Sequence, residues 1–314
     1  MTLDVISTGV LIVPDTQLPE FESLDEILGI AGPLLEIMDI GAMGEGADRY
    51  SVLVGQGMAR VTGFEPNEEQ LSRLKARPGP YTYHSAFLGD GKPARFRLTR
   101  YPGCSSLLDP DPRVIDLFST IGAADPRGNF HVLGTEDVET KRLDDISDFT
   151  QPDLIKIDVQ GSELTVLQNA RKTLEGTLIV ECEVEFLPIY KDQPLFCDIQ
   201  AFFRDCGFVL HKLVDVAGRC FRPHTLDNPF LPISQLLWAD AIFVRDFTRL
   251  DRYSTDDLIK SCMILHGAYH SYDLVSMLLA EHDRRLNTHY ASPYMAHLQR
   301  GNLSLMFMNQ KTHG

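Results

Sequence analysis

From residue 34 to residue 245 short apolar runs alternate with single helical stretches, and this alternation constrains the fold more than any other feature. The runs are "LLEIMDI", "ARVTGFEP", "PDLIKIDV", "TLIVECEVEF", "FVLHKLVDV" and "QLLWADAIFVRD". Between them "ADRYSVLVGQG", "NEEQLSRLKAR", "SELTVLQNARKTLEG" and "LFCDIQAFFRDCG" read as helices. Strands separated by single helices run parallel, with helices on both faces, so the expected fold is a doubly wound α/β sheet. Asn67, with Gln70 three residues on, has the spacing of a helix cap. Ser162 is expected to cap one helix running to Gly176, with Leu164, Leu167 and Leu174 on a shared face. "YTYHSAF" and "ARFRLTR" read as a hairpin, and residues 100–135, rich in Pro, Gly, Asp and Ser, as a long functional loop. Beyond about residue 250 only helical patterns remain. The expected organisation is a cover segment over 1–33, a ligand-binding domain over 34–249 and a helical extension over 250–314.

The chain has 314 residues, 44% of them hydrophobic and 23% charged, which suits a globular core. A net charge of −15 argues against a nucleic-acid partner, which needs a clustered positive field. No apolar run reaches the roughly 18 residues of a membrane span. Asp4 stands where a leader would carry a base, so the chain is expected in the cytoplasm. Six cysteines without a C-x-x-C pair read as reduced thiols. His266 and His270 are four apart but lack the glutamate of a zinc protease motif, and His211 among Val209, Leu210 and Leu213 reads as a core histidine.

Open α/β sheets bind ligands at the carboxyl ends of their strands. Here the first strand ends at Asp39 and turns through Gly41, Gly44 and Gly46. A dinucleotide fingerprint would place a glycine where Met43 stands, and it aims a helix N-terminus at a pyrophosphate. S-adenosylmethionine has no phosphate; its amino-acid tail and sulfonium suit an acid at the strand end. Glu65, 26 residues after Asp39, can accept from both hydroxyls of a ribose. A nicotinamide-dependent oxidoreductase is the competing reading, disfavoured by the glycine order and by the lack of a tyrosine–lysine hydride pair.

"IMDIGAMGEG", "ARVTGFEPNEEQL", "HSAFLGDG" and "PDLIKIDVQGSELTVLQNA", in this order, resemble the FkbM-type S-adenosylmethionine-dependent methyltransferases. "RLDDI", "VEFLPIYKDQPLF" and "WADAIFVR" extend the resemblance over about residues 34–245. It implies a class I methyltransferase fold, a Rossmann-like, mostly parallel sheet with an antiparallel last strand. It also implies O-methylation of a hydroxyl on a sugar, glycan or small natural product. The cofactor-binding candidates are Asp39, Gly41, Ala42, Gly44, Glu65, Pro66, Ser85, Ala86 and Asp158. Ser85 and Ala86 fall where the family contacts adenine. Glu45 and Gln160 depart from the family pattern, which has a glycine and an acid there.

An alcohol acceptor must shed a proton, so a carboxylate base or a metal is needed. Asp158 is the first candidate, followed by Glu163 and Glu183, with Lys156 on the same face of its strand as Asp158. Glu181, Glu183 and Glu185 alternate to one side of the next strand. The alternative is that Lys156 and Asp158 are a structural ion pair at the strand end. The acids could hold Mg²⁺, although no fixed spacing demands it. The loop with Cys104, Ser105 and Ser106 is the expected lid or acceptor wall. A third reading is a non-catalytic relative whose helical extension mediates assembly, including self-association.

Overall fold

The computed structural model describes residues 21–42 and 48–301. The cover segment up to residue 20, Gly44, Glu45 and Gly46 of the glycine turn, and the chain from residue 302 lie outside the described residues. The first half runs α1 (Leu24–Leu28), β1 (Leu35–Ile40), α2 (Ser51–Gly55), β2 (Ala59–Phe64), α3 (Glu68–Lys75), β3 (Tyr81–His84), β4 (Phe87–Leu88), β5 (Pro93–Thr99), α4 (Pro112–Ile115) and β6 (Val132–Lys141). Then come β7 (Leu154–Ile157), α5 (Glu163–Gln168), α6 (Arg171–Gly176), β8 (Ile179–Glu185), α7 (Phe196–Asp205), β9 (Phe208–Gly218) and β10 (Leu236–Arg245). Helices α8 (Thr255–Gly267), α9 (Tyr272–Leu286) and α10 (Ala291–Arg300) end the described chain.

Seven strands form one sheet in the order β3-β2-β1-β7-β8-β10-β9. The pairs from β3 through β8 are parallel, and β10 is antiparallel to both its neighbours, as expected of the last strand. The chain winds outward from β1 to β3, then returns to β7 on the other side of β1. That reversal opens a crevice at the carboxyl ends of β1 and β7.

Side chains alternate across the sheet. Leu35 and Ile37 face one layer, where Leu258, Cys262 and Leu278 of α8 and α9 pack. Met38 and Ile40 face the other, with Val166 and Leu167 of α5 and Phe203 of α7. Each such fully buried side chain contributes about 1.5–3 kcal/mol. The C-terminal helices thus share a core with the sheet. Among the described residues no helix is long and apolar enough to cross a membrane. The six cysteines are free thiols, four of them buried. Asn67 caps α3, its Oδ1 accepting from the Gln70 N–H at 3.0 Å.

Three local expectations are corrected. The "YTYHSAF"/"ARFRLTR" hairpin does not form: β3 sits at the edge of the main sheet, whereas β5 pairs antiparallel with β6 in a second sheet of order β4-β6-β5. The loop read over 100–135 ends early, because β6 starts at Val132. That strand carries Glu136, Asp137 and Glu139 and buries only Thr140, so it has no apolar stripe; flanking strands on both sides supply its ladder. The helix read over 162–176 is two, broken at Asn169 and Ala170, and Ser162 makes no side-chain cap. Asn169 Nδ2 donates back to Thr165 O at 2.8 Å, and Asp144 restarts the helix by accepting from the Lys172 and Thr173 N–H groups at 2.9 and 3.0 Å. Asp144→Ala removes these capping bonds and is expected to cost about 1–2 kcal/mol in urea unfolding; an unchanged midpoint would show that the break is held by packing alone.

Candidate functional site

Gly41 sits at the switch point with φ +83°, and a Cβ there would lie 1.8 Å from the Asp158 carbonyl oxygen. Only a glycine lets the end of β1 pass this close beneath the end of β7. Above it opens a cleft walled by Phe64, Ala86, Leu88, Phe96 and Leu98, with Glu65 and Asp158 among its polar groups. Glu65 is 5% exposed and accepts from the Asn67 N–H at 2.6 Å. Burial, with Asp39 adding repulsion, pushes its pKa up to about 7 against that bond.

Below the crevice Asp39 is 2% exposed; the Tyr50 hydroxyl donates to its Oδ2 at 2.5 Å, while Oδ1 has no hydrogen bond. Lys156 Nζ lies 3.9 Å from Asp39 Oδ1 and 3.8 Å from Asp48 Oδ1. The structural ion pair offered as the alternative role for Lys156 is made with Asp39 and Asp48 rather than with Asp158. Burial works against the charge on Lys156, but Asp39, Asp158 and Asp48 outweigh it and hold its pKa above the ordinary value. Burial likewise raises the pKa of Asp39, opposed by Lys156. Glu181 sits beyond Lys156, and the Tyr269 hydroxyl, just past α8, donates to its Oε2 at 2.7 Å. The helical extension is thereby tied to the polar layer under the cleft.

After β7 the chain turns through Gln160 in the left-handed region, φ +57°. Gln160 Nε2 donates to Asp158 Oδ1 and to Glu183 Oε2, each at 2.8 Å. The Tyr190 hydroxyl lies 3.0 Å from Gln160 Oε1, which orients the amide. Glu163 Oε1 accepts from the Val159 and Gly161 N–H groups at 2.8 and 3.1 Å and so folds this turn. Burial lifts the Glu163 pKa to about 7. Glu183 rises well above the carboxylate range, from burial first and Asp158 next. Carboxylate oxygens of Asp158, Glu163 and Glu183 all lie within 4.8 Å of one another. An amide nitrogen bridges two of these acids where a cation would otherwise be drawn.

The family model for the methyltransferase FkbM domain matches residues 39–210, which spans Asp39, Gly41, Glu65 and the Asp158–Gln160–Glu183 group. The chain belongs to the FkbM methyltransferase family. A relative named 2-O-methyltransferase NoeI, from Sinorhizobium fredii, is 29% identical over 169 residues, 51% of this chain and 65% of that protein. The chain thus spans just under two thirds of that relative's length. Among solved structures, a TehB-like SAM-dependent methyltransferase from Corynebacterium glutamicum superposes with TM-score 0.32 and 13% identity, over 71% of this chain and 86% of that one. TrmK from M. capricolum, solved with S-adenosyl-homocysteine, gives TM-score 0.30 and 8% identity over 89% and 93%. At such scores the overlaps carry no weight. The class I sheet rests on the strand order and the family match.

Not every residue suggested by the FkbM resemblance faces the cleft. Gly41, Glu65, Pro66, Ala86 and Asp158 line it. Asp39 and Lys156 lie beneath; Ala42 is buried with Tyr83 and Leu71; Ser85 is exposed and does not line the cleft. Glu163 braces the turn, and Glu183 lines a neighbouring cavity. Gly44 is outside the described residues. In the loop expected to form a wall, Ser105 lines the cleft, Cys104 lines the neighbouring cavity, and Ser106 Oγ donates to Gln160 O at 2.6 Å. His266 has both ring nitrogens engaged, by Tyr294 and by the Glu22 carbonyl, at 2.9 Å each. His211 bonds Ser271 at 2.8 Å. Sequence reasoning did not find Tyr190, Tyr269 or the Phe96 and Leu98 wall, because each arrives from an element distant in the chain.

Proposed function

We propose that this chain is an S-adenosylmethionine-dependent O-methyltransferase acting on a hydroxyl of a sugar, glycan or small natural-product acceptor. One observation carries the reading: a cleft at the switch point, reached past Gly41, flanked by the carboxyls of Glu65 and Asp158 and walled by apolar side chains. The donor set fits this cofactor. Glu65 would accept from the ribose hydroxyls, Phe64, Ala86 and Leu88 would enclose the adenine, and Asp39, buried beneath the cleft beside Lys156, would act on the amino-acid tail only through the strand end above it. A cleft flanked by two carboxyls favours a cationic ligand over a pyrophosphate.

When bound, the cofactor supplies a methyl group made electrophilic by the sulfonium. The chain's part is to align the acceptor oxygen and take its proton. Asp158 is the proposed proton acceptor, because its carboxylate stands in the cleft wall and is held in place at Oδ1 by Gln160. Glu163 and Lys156 act by positioning, the first through the 158–162 turn and the second through Asp39. The name of the relative, a 2-O-methyltransferase, supports an oxygen acceptor.

Calorimetry with S-adenosylhomocysteine and with NAD tests the reading. Saturable binding of the first and none of the second is expected, followed by a mass gain of one methyl on an acceptor from a hydroxylated panel. Binding of NAD alone would replace this reading with an oxidoreductase.

A further inference from the structure

Asp39 of β1, Lys156 of β7 and Glu181 of β8 stand abreast, because the parallel register sets Lys156 beside both acids. The three residues that lead into α2 fasten to this row one by one. Asp48 Oδ1 lies 3.8 Å from Lys156 Nζ, Arg49 Nε lies 3.9 Å from Glu181 Oε1, and the Tyr50 hydroxyl donates to Asp39. The row thus grips the chain on both sides of the glycine turn, at Asp39 before it and at Asp48 to Tyr50 after it.

One member of the row is held from outside the matched domain. The FkbM match ends at residue 210, whereas Tyr269 lies in the turn between α8 and α9. That turn is clamped to β9: Lys212 Nζ donates to the Tyr269 carbonyl oxygen, and the His211 ring bonds Ser271 at 2.8 Å. So held, the buried Tyr269 side chain reaches the buried Glu181, and its hydroxyl donates to Oε2 at 2.7 Å. Burial raises the Glu181 pKa, and the Tyr269 hydroxyl is the first of the groups that oppose it, ahead of Lys156 and Arg49. A buried carboxylate that lost this donor would draw harder on those two cations, and both also fix the flanks of the glycine turn.

Resting on the methyltransferase reading, we propose that Tyr269 is a positioning residue for S-adenosylmethionine: by satisfying Glu181 it leaves Lys156 and Arg49 to hold the glycine turn in shape for the cofactor. The helical extension then frames the cofactor site as well as the core.

Calorimetry with S-adenosylhomocysteine on the full chain tests this. Tyr269→Phe keeps the ring and deletes the donor, and should weaken binding about tenfold. In a Glu181→Gln background, where no charge faces the hydroxyl, the same change should weaken it less than about threefold. Tyr294→Phe is the control, since its hydroxyl is also buried but bonds His266 at 2.9 Å. It should lower thermal stability and leave the affinity within about twofold. Lys212→Met, at a half-buried side chain, releases the turn that carries Tyr269 and should weaken binding about threefold or more. It covers the case in which Tyr269→Phe does not fold. Unchanged affinity in Tyr269→Phe, or in Lys212→Met where the first variant is unfolded, overturns the assignment. So does an equal loss in Tyr294→Phe, or a loss undiminished in the Glu181→Gln background. Absence of S-adenosylhomocysteine binding by the parent overturns the cofactor reading, and this assignment with it.

Discussion

Asp158→Asn is expected to lower methyl-transfer turnover by about a hundredfold or more, the contribution typical of a positioned base. Asparagine keeps the size of the side chain and an oxygen for the Gln160 amide, which now donates to Asp158 Oδ1 at 2.8 Å, but it cannot take a proton. The fold should change little, since Asp158 is only half-buried and its main-chain bond to Ile40 O at 3.0 Å is untouched. Urea unfolding within about 1 kcal/mol of the parent, beside the lost turnover, is the expected pairing. S-adenosylhomocysteine release in a single turnover gives the rate without product inhibition. Full activity in this variant would remove Asp158 from the reacting centre.

Glu65→Ala should weaken S-adenosylhomocysteine binding by about 1–3 kcal/mol, the worth of hydrogen bonds to a charged group. The effect carries a pH signature. Burial first, and Asp39 second, raise the Glu65 pKa from 4.5 to about 7 in the unliganded chain. Below that pH the carboxyl is protonated and loses the charge that strengthens its bonds to ribose. Affinity is therefore expected to fall as pH drops from about 8 to about 6, and in Glu65→Ala this part of the dependence should vanish. The stability contribution of the same group has the opposite sense. A carboxyl whose folded pKa is raised binds its proton more tightly when folded, so its contribution is complete below the unfolded value of 4.5 and is lost as pH rises through about 7. Glu65→Gln should accordingly unfold at higher temperature than the parent at about pH 8 and lose this gain at acid pH. Unchanged affinity in Glu65→Ala would place the ribose elsewhere.

Some strand-end positions were legible in the sequence. Asp39, Gly41 and Glu65 stand at strand ends whose apolar runs are short and bounded, and their neighbours in the chain already fix that place. Other parts were not legible, for identifiable reasons. Strand β6 carries acids where an apolar alternation would announce it, and it exists because β4 and β5 supply its ladder. The break between α5 and α6 depends on Asp144, well upstream of the helix it restarts. Ser85 follows β3 and looked equivalent to Ala86 in the chain, yet only Ala86 reaches the cleft. Lys156 shares a strand face with Asp158, but its contacts are Asp39 and Asp48 because β7 lies in register beside β1, pairing Lys156 with Asp39.

The amino-acid sequence by itself determined the period of the apolar runs, hence the parallel sheet, and the glycine that lets β1 pass beneath β7. These are local properties, set by backbone sterics and by which side chains leave water. The tertiary structure alone decided the polar constellation. Gln160 could be noticed in the chain only as a missing charge; its task of tying Asp158 to Glu183 arises because Tyr190, 30 residues on, turns the amide toward both acids. Hydrogen-bond geometry between distant segments depends on how elements pack, and no periodicity along the chain encodes it.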